Sequence, residues 1–137
     1  MLVNVNALRE RHGLRTLKSS AVLAEAAAAH SREMAERGFF AHESADGTPY
    51  WMRIQRFYGA AGSRRSVFGE NLVWASPALS ARDVVSLWMR SPKHRANLLR
   101  KAWRKIGIAA VHANGAPGVY EGRAVTILTA DFSRRSS

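Results

Sequence analysis

Cysteine is absent from this 137-residue chain, and its absence limits what can hold the fold together. Without cysteine there are no disulfides, no thiolate metal ligands and no cysteine nucleophile. A chain of this length buries roughly two thirds of the surface that its unfolded form exposes, which is enough for a hydrophobic core. We therefore expect a single domain at residues 1–133, stabilised by packing alone and followed by a basic tail at residues 134–137.

Long apolar runs are also missing. The N-terminus becomes charged at Arg9, Glu10 and Arg11, and no later stretch has the length of a membrane-spanning helix. The sequence therefore predicts no transmembrane segment and shows no hydrophobic core of a signal peptide. There is also no His-Glu-x-x-His helix, no Gly-x-Ser-x-Gly elbow and no phosphate-binding glycine loop, which excludes the standard motif-based enzyme assignments.

Acidic residues are scarce. Ten of them stand against 21 lysines and arginines, and the formal net charge is +11. This surplus favours anionic partners such as anionic lipid or a phosphate-bearing cell-envelope polymer. Much of the charge falls at residues 90–105, around His94, and at Arg64 and Arg65, just before Glu70. We expect both segments to border a polar site that includes His94 and Glu70. Nucleic acid is the least favoured partner, because no recognised binding motif accompanies the charge.

Helices are indicated by capping residues followed by apolar stripes. Ser19 or Ser20 can cap an alanine-rich helix that runs to about Arg37 and ends at Gly38, and Ser80 can cap a helix over residues 81–90. Further helices are predicted before Gly13 and after Pro49. The residues expected to be buried on the two main stripes are Leu23, Ala27, His30 and Met34 in the first helix and Val84, Val85 and Trp88 in the second.

Strands are predicted at residues 67–74, 106–111 and 123–132, where β-favouring and apolar side chains predominate. The last two are separated by a turn cluster at residues 114–118, which predicts an antiparallel hairpin. Both faces of the last strand are apolar, so it belongs in a sheet covered by helices on each side. We therefore predict an α+β fold, a three-layer α-β-α sandwich with a mainly antiparallel central sheet. Residues 59–65 are predicted to form an exposed basic loop.

A short polar motif follows the second of the capped helices. Ser91 and Pro92 can open a new helical turn, because proline lacks the amide hydrogen that would be unsatisfied there. This turn would hold His94.

Three further motifs precede the His94 turn in the chain. The four motifs in order are residues 29–35, residues 38–42 with 46–49, residues 69–72, and residues 88–99 followed by 106–108.

Together, these motifs resemble those of bacterial members of the CAP superfamily, the cysteine-rich secretory, antigen 5 and pathogenesis-related proteins that carry an SCP domain. The resemblance extends from about Leu8 to Phe132. It implies the same α-β-α sandwich and an exported protein of the cell envelope or surroundings, which we expect to be a monomer. It also implies a cleft lined by His42, Glu70 and His94.

The family's second glutamate has no counterpart in this chain, which carries Ser91 at that position. Glu43, Ser91 and Asn71 are the candidate auxiliary residues. Two imidazoles and one carboxylate are a plausible ligand set for zinc or another divalent cation, with one coordination position left open. The predicted metal ligands are therefore His42, His94 and Glu70.

The residues by themselves leave alternatives open. His94 can be a surface histidine, Glu70 can be an edge-strand carboxylate that faces water, and His30 fits a buried histidine bonded to backbone better than a ligand. Two functions also stay open. The first is a non-catalytic binding module for lipid or envelope ligand. The second is a metal-assisted, peptidase-like hydrolase that uses the same cleft.

Overall fold

The central sheet is built from strands that lie far apart in the sequence. The computed structural model describes residues 1–63 and 66–135, and within them four strands pair in the order β1-β3-β4-β2. The strands are β1 (Lys18–Ser19), β2 (Ser66–Ala75), β3 (Lys105–Ala116) and β4 (Arg123–Arg135). β2 and β3 pair antiparallel with β4, whereas β1 pairs parallel with β3. The sheet is mixed but mainly antiparallel, as predicted.

Within the same residues, five α-helices and one 3-10 turn accompany these strands. They are α1 (Leu2–Arg11), α2 (Ala21–Arg37), α3 (Tyr50–Ser63), α4 (Ala81–Met89), α5 (Pro92–Leu98) and the turn Gly118–Tyr120. The hydroxyls of Ser20 and Ser80 accept backbone N–H groups and cap α2 and α4, as predicted. Gly38 ends α2 at φ 72°, a conformation that glycine adopts without a steric cost. Within the described ranges, no helix combines the length and the apolar character needed to cross a bilayer.

The sheet is covered by helices on both faces, which confirms the three-layer sandwich. Along β4, Ala130 and Phe132 pack in one cluster with residues of α1, α4 and α5. At the alternate positions of the strand, Ile127 packs with residues of α2, and Thr129 hydrogen-bonds to Ser31 of that helix. This alternation follows from the two-residue period of a strand, in which successive side chains point to opposite faces.

The predicted apolar stripes are buried. Leu23, Ala27, His30 and Met34 on α2 are almost inaccessible to solvent, as are Val84, Val85 and Trp88 on α4. α3 is different, because it buries Arg53 beside Ile54 and leaves Trp51 47% exposed. A buried arginine requires partners, and those partners lie in the candidate site.

Two predicted segments need correction. α3 continues to Ser63 with a break in helical geometry at Gly59, so most of the loop predicted for residues 59–65 is helical. Arg64 and Arg65 lie outside the described residues. The prediction that residues 134 and 135 belong to a basic tail is also wrong, because Arg134 and Arg135 continue β4 and pair with the start of β2. Residues 136–137 are likewise outside the described part.

The outer edge of β2 is covered by side chains that donate to its carbonyl groups. Tyr50 donates its hydroxyl to the carbonyl of Phe68 at 3.3 Å. The amide of Asn97 donates to the carbonyl of Glu70 at 3.0 Å. The indole of Trp88 donates to the carbonyl of Leu72 at 3.0 Å. These bonds satisfy backbone groups that an edge strand would otherwise present to solvent, and they fix the flanking segments around Glu70.

Candidate functional site

A cavity of about 280 Å³ lies where these flanking segments meet β2. It is bordered by the loop after α2, the start of α3, β2 and the start of α5. The lining residues are His42, Tyr50, Glu70, Asn71, Ser91, Lys93, His94 and Asn97. The structure thus brings His42, Glu70 and His94 to a single cavity, although their motifs are far apart in the chain.

His42 is held by the carboxylate beneath it. Its Nδ1 lies 3.0 Å from Oε1 of Glu70, and its ring lies against Tyr50 with 5.9 Å between the ring centroids. The His42 side chain is 45% exposed, whereas that of Glu70 is fully buried. Because a carboxylate only accepts, Nδ1 of His42 is the donor in this bond. In the neutral form of the ring, the lone pair then lies on Nε2.

His94 is held from within its own helix. Its Nδ1 lies 2.8 Å from the hydroxyl of Ser91, and its ring stacks on Trp88 with a centroid separation of 6.4 Å. Partial burial, followed by the nearby charge of His42, lowers the pKa of His94. His94 is therefore a neutral imidazole near physiological pH. With Nδ1 bonded to Ser91, Nε2 is its remaining nitrogen.

Two asparagines join α5 to β2. The amide of Asn71 donates to the carbonyl of His94 at 3.1 Å, and the amide of Asn97 donates to the side-chain oxygen of Asn71 at 3.0 Å. These bonds fix the position of His94 relative to Glu70. Among the predicted auxiliary residues, Asn71 and Ser91 line the cavity and bond to His94. Glu43 is exposed and is not among the described residues that line it.

Glu70 is the centre of a buried ionic network that extends behind the cavity. Its Oε2 accepts from Arg53 at 2.6 Å, and its Oε1 lies 4.0 Å from Nε2 of His30. Burial opposes the charged form of Glu70, but hydrogen bonds from His42 and Asp131 and the charge of Arg53 outweigh it. They lower its pKa to about 2. Glu70 is therefore ionised throughout the neutral range.

Asp131 is the cross-strand partner of Glu70, and both carboxyls are buried on the same face of the sheet. Burial and the negative charge of Glu70 raise the pKa of Asp131 well above its usual value. Among the described residues, no donor lies within hydrogen-bonding distance of either oxygen of Asp131, and Nη1 of Arg53 is 3.8 Å from its Oδ2. A carboxylic acid at Asp131 can donate a hydrogen bond to Glu70, an interaction that also raises the pKa of Asp131, so we assign the proton of the pair to Asp131.

Replacing Asp131 by asparagine tests this assignment. The raised pKa means that folding favours the protonated carboxyl, so the Asp131 contribution to stability is complete below the unfolded pKa. It is lost as pH rises towards the folded pKa. An asparagine amide donates to Glu70 without titrating. Above the unfolded pKa of Asp131, we therefore expect Asp131→Asn to become more stable relative to the wild type as pH rises. The expected slope is about 1.4 kcal/mol per pH unit. Urea unfolding across a pH series measures this slope, and parallel profiles would show that Asp131 is not protonated in the native state.

The sequence did not identify Arg53 or Asp131 as site residues. The only signal for Arg53 was the general requirement that a buried Glu70 needs a charged partner. Asp131 belongs to the site because it lies opposite Glu70 in the sheet, and sequence motifs do not reveal that strand register. His30 was predicted to be a buried histidine bonded to backbone, and the structure confirms this, with 2.7 Å between its Nε2 and the carbonyl oxygen of Ala41.

The basic residues lie differently from the expectation. Among the basic residues of the segment 90–105, Lys93 lines the cavity as the structure describes it. Arg104 and Lys105 line a separate groove. Among the described residues, the charge of this stretch is therefore divided between the cavity, which Lys93 lines, and the separate groove.

The donor atoms can be tested against the predicted metal. Over residues 1–63 and 66–135, no group of three or more His, Asp or Glu side chains is arranged to hold an ion. Nε2 is a ligand atom of each imidazole in the tautomer whose Nδ1 donates, to Glu70 from His42 and to Ser91 from His94, and nitrogen donors of this kind suit zinc and similar cations. Glu70 uses one oxygen for His42 and the other for Arg53, so in this geometry it orients a ligand. Carboxylates commonly do this behind metal-binding histidines.

Comparison with known proteins gives the same family. The sequence profile of the cysteine-rich secretory protein family (CAP) matches residues 2–131. The uncharacterised protein YkwD of Bacillus subtilis is 32% identical over 109 residues, which cover 79% of this chain and 40% of that protein. The chain therefore spans about two fifths of this relative.

Solved structures share the fold. An extracellular protein of Bacillus anthracis that contains an SCP domain has a TM-score of 0.72 and 27% identity over 96% of this chain and 38% of its own. An outer surface protein of Borrelia burgdorferi has a TM-score of 0.76 and 19% identity, covering 98% of this chain and 90% of its own. The family profile covers nearly the whole chain, and this chain belongs to the cysteine-rich secretory protein (CAP) family.

Proposed function

We propose that this chain is a non-catalytic binding module of an exported or envelope-associated protein, and that its His42–His94 cleft binds a divalent cation such as zinc. A lipid or envelope ligand would then occupy the same cleft. The observation that carries the proposal is that the imidazole rings of His42 and His94 are held in the same way. Each has Nδ1 held by another side chain and lines the same cavity with Nε2 available.

The surroundings of the rings favour metal binding over a purely structural role. In its neutral form each ring would bind a metal through Nε2, since Nδ1 of His42 donates to Glu70 and Nδ1 of His94 is bonded to Ser91, and burial lowers the pKa of His94. Metal binding requires this protonation state. Two protein ligands leave coordination positions for water or for an atom of an envelope ligand, so the affinity will be lower than at a four-ligand structural site.

The location of the protein is argued from its relatives. The Bacillus anthracis relative is described as extracellular, and the Borrelia burgdorferi protein is described as an outer surface protein. An extracellular setting would also explain a cleft that is open to solvent and a surface rich in positive charge, which attracts anionic envelope material. Lys93 at the cavity supplies one such charge directly.

A metal-assisted hydrolase is the alternative, and one observation weighs against it. Hydrolysis of this kind needs a general base beside the metal. Glu70 is the only carboxylate among the described residues lining the cavity, and both of its oxygens already accept hydrogen bonds. With a pKa of about 2, it is also a weak base. Turnover of peptide or envelope polymer that a chelator abolishes and His94→Ala removes would support the hydrolase instead.

Zinc calorimetry near neutral pH tests the binding proposal. We expect one zinc per wild-type chain, and we expect His42→Ala and His94→Ala each to weaken binding by about tenfold or more. His112→Ala is the matched control, because His112 is an exposed histidine on β3 that bonds to Thr126. It should leave the affinity unchanged. Equal binding by the wild type and His94→Ala would place the zinc elsewhere and refute the proposal.

A further inference from the structure

The end of the sheet opposite the β3–β4 turn carries a groove of about 490 Å³ whose lining is rich in cations. We call it the basic groove. It is lined by Tyr58, Ser66, Arg104, Lys105, Ser133, Arg134 and Arg135. This set shares no residue with the lining of the His42–His94 cavity.

The strand register brings these charges together. Lys105 at the start of β3 lies opposite Ser133 on β4, and Arg135 lies opposite Ser66 on β2. On the other side, Lys105 pairs with Lys18 of β1. Like charges on neighbouring strands repel one another, so this arrangement lowers the stability of the unliganded protein. Within the described ranges, none of these cations forms an ion pair with a carboxylate.

Arg104 is already fixed in place. One terminal nitrogen of its guanidinium donates to the carbonyl groups of Lys101, Ala102 and Trp103 at 3.0 to 3.2 Å. Its backbone N–H donates to the carbonyl of Ser133. A side chain that is ordered before binding loses less conformational entropy when a ligand arrives. Arg104 is therefore a rigid cation at the wall of the groove.

Arg134 has a buried hydrogen-bond donor without an acceptor among the described residues. Its Nε is shielded from solvent and finds no acceptor in the part of the chain that the structure describes. A buried donor without an acceptor costs free energy, which an oxygen atom of a bound anion would recover. Hydroxyls are also present, with 3.3 Å between those of Tyr58 and Ser133. The groove thus combines cations and neutral donors, with no carboxylate among its described lining.

We propose that the basic groove binds a phosphate-bearing anion that carries at least two negative charges. Guanidinium groups donate two parallel hydrogen bonds to phosphate oxygens, and the lysine adds a compact charge. Carboxylate ligands match this set less well, because they offer fewer acceptor oxygens per charged group. The site is independent of the metal proposal, since it uses other residues at another place in the fold.

Pyrophosphate is the probe, measured by calorimetry in buffer free of phosphate. We expect the wild type to bind it and the double variant Lys105→Gln with Arg135→Gln to bind it at least about tenfold more weakly. Both of these side chains are exposed, so the fold should be retained, and a thermal unfolding scan verifies this. The double variant Arg11→Gln with Arg82→Gln removes the same charge from a different cavity, between α1 and α4. It should leave the affinity nearly unchanged.

Other outcomes also decide the matter. Equal losses in the two double variants would show that net charge alone attracts the anion, and this would overturn the proposal. So would citrate, a carboxylate of similar charge, binding as tightly as pyrophosphate. Competition between pyrophosphate and phosphatidylglycerol vesicles would identify a lipid headgroup as the source of the phosphate. Pyrophosphate binding without such competition would identify a soluble or polymeric phosphate, and either result supports a phosphate site.

Discussion

Replacement of Glu70 by alanine is expected to lower the free energy of unfolding by about 3 to 5 kcal/mol. The Glu70 side chain is fully buried and accepts from Arg53 at 2.6 Å and from His42 at 3.0 Å. Removing it leaves the buried guanidinium without its closest counter-charge and leaves His42 without the acceptor that orients its ring. The loss should be large because an uncompensated buried charge costs far more than an exposed one.

Chemical denaturation at neutral pH measures this effect. Glu36→Ala is the matched control, because Glu36 is an exposed carboxylate on α2 and its removal should change stability by less than about 0.5 kcal/mol. The Glu70 contribution comes from a lowered pKa. In the wild type it is therefore present above the unfolded pKa and is lost as pH falls towards 2. A loss below about 1 kcal/mol in Glu70→Ala would show that Arg53 and His42 do not depend on this carboxylate.

Replacement of Trp88 by alanine should cost a similar amount, about 3 to 5 kcal/mol, for a different reason. Trp88 is 2% exposed and packs in one cluster with Val84, Val85 and Leu98. Its indole N–H donates to the carbonyl of Leu72, and its ring stacks on His94. The substitution empties a large volume and leaves that carbonyl without its donor.

The midpoint of urea unfolding should fall with little change in its slope, because the folded state keeps its overall surface. Trp51→Ala provides the control, since Trp51 lies on α3 with 47% of its surface exposed. That variant should lose less than about 1 kcal/mol. If Trp88→Ala and Trp51→Ala proved equally mild, Trp88 would not be a core residue.

Much of the fold could be predicted because its signals are local. A serine cap and an apolar stripe are readable within one helix, as for Ser20 and Ser80, and both helices were placed correctly. β1 was missed because two residues are too few to show an alternating pattern. The end of β4 was misjudged because Arg134 and Arg135 resemble a solvated tail, yet pairing with β2 keeps them in the sheet.

The site was less accessible to sequence reasoning because its chemistry depends on long-range pairing. The positions of His42, Glu70 and His94 on one cavity follow from motifs that the resemblance supplied. The Arg53 and Asp131 partners follow from a helix orientation and from the register Glu70↔Asp131. The basic groove has the same origin, since Lys105 and Arg135 are neighbours only through strand pairing.

The central claim is that His42 and His94 bind a divalent cation through Nε2 while Glu70 holds His42 from behind. A crystal structure grown with zinc, with anomalous data collected at the zinc edge, tests it most directly. We expect an anomalous peak within about 2.0 to 2.1 Å of both Nε2 atoms, and the Nδ1 bond from His42 to Glu70 should be retained. Well-ordered imidazoles with no peak between them, or a zinc bound only elsewhere on the chain, would contradict it.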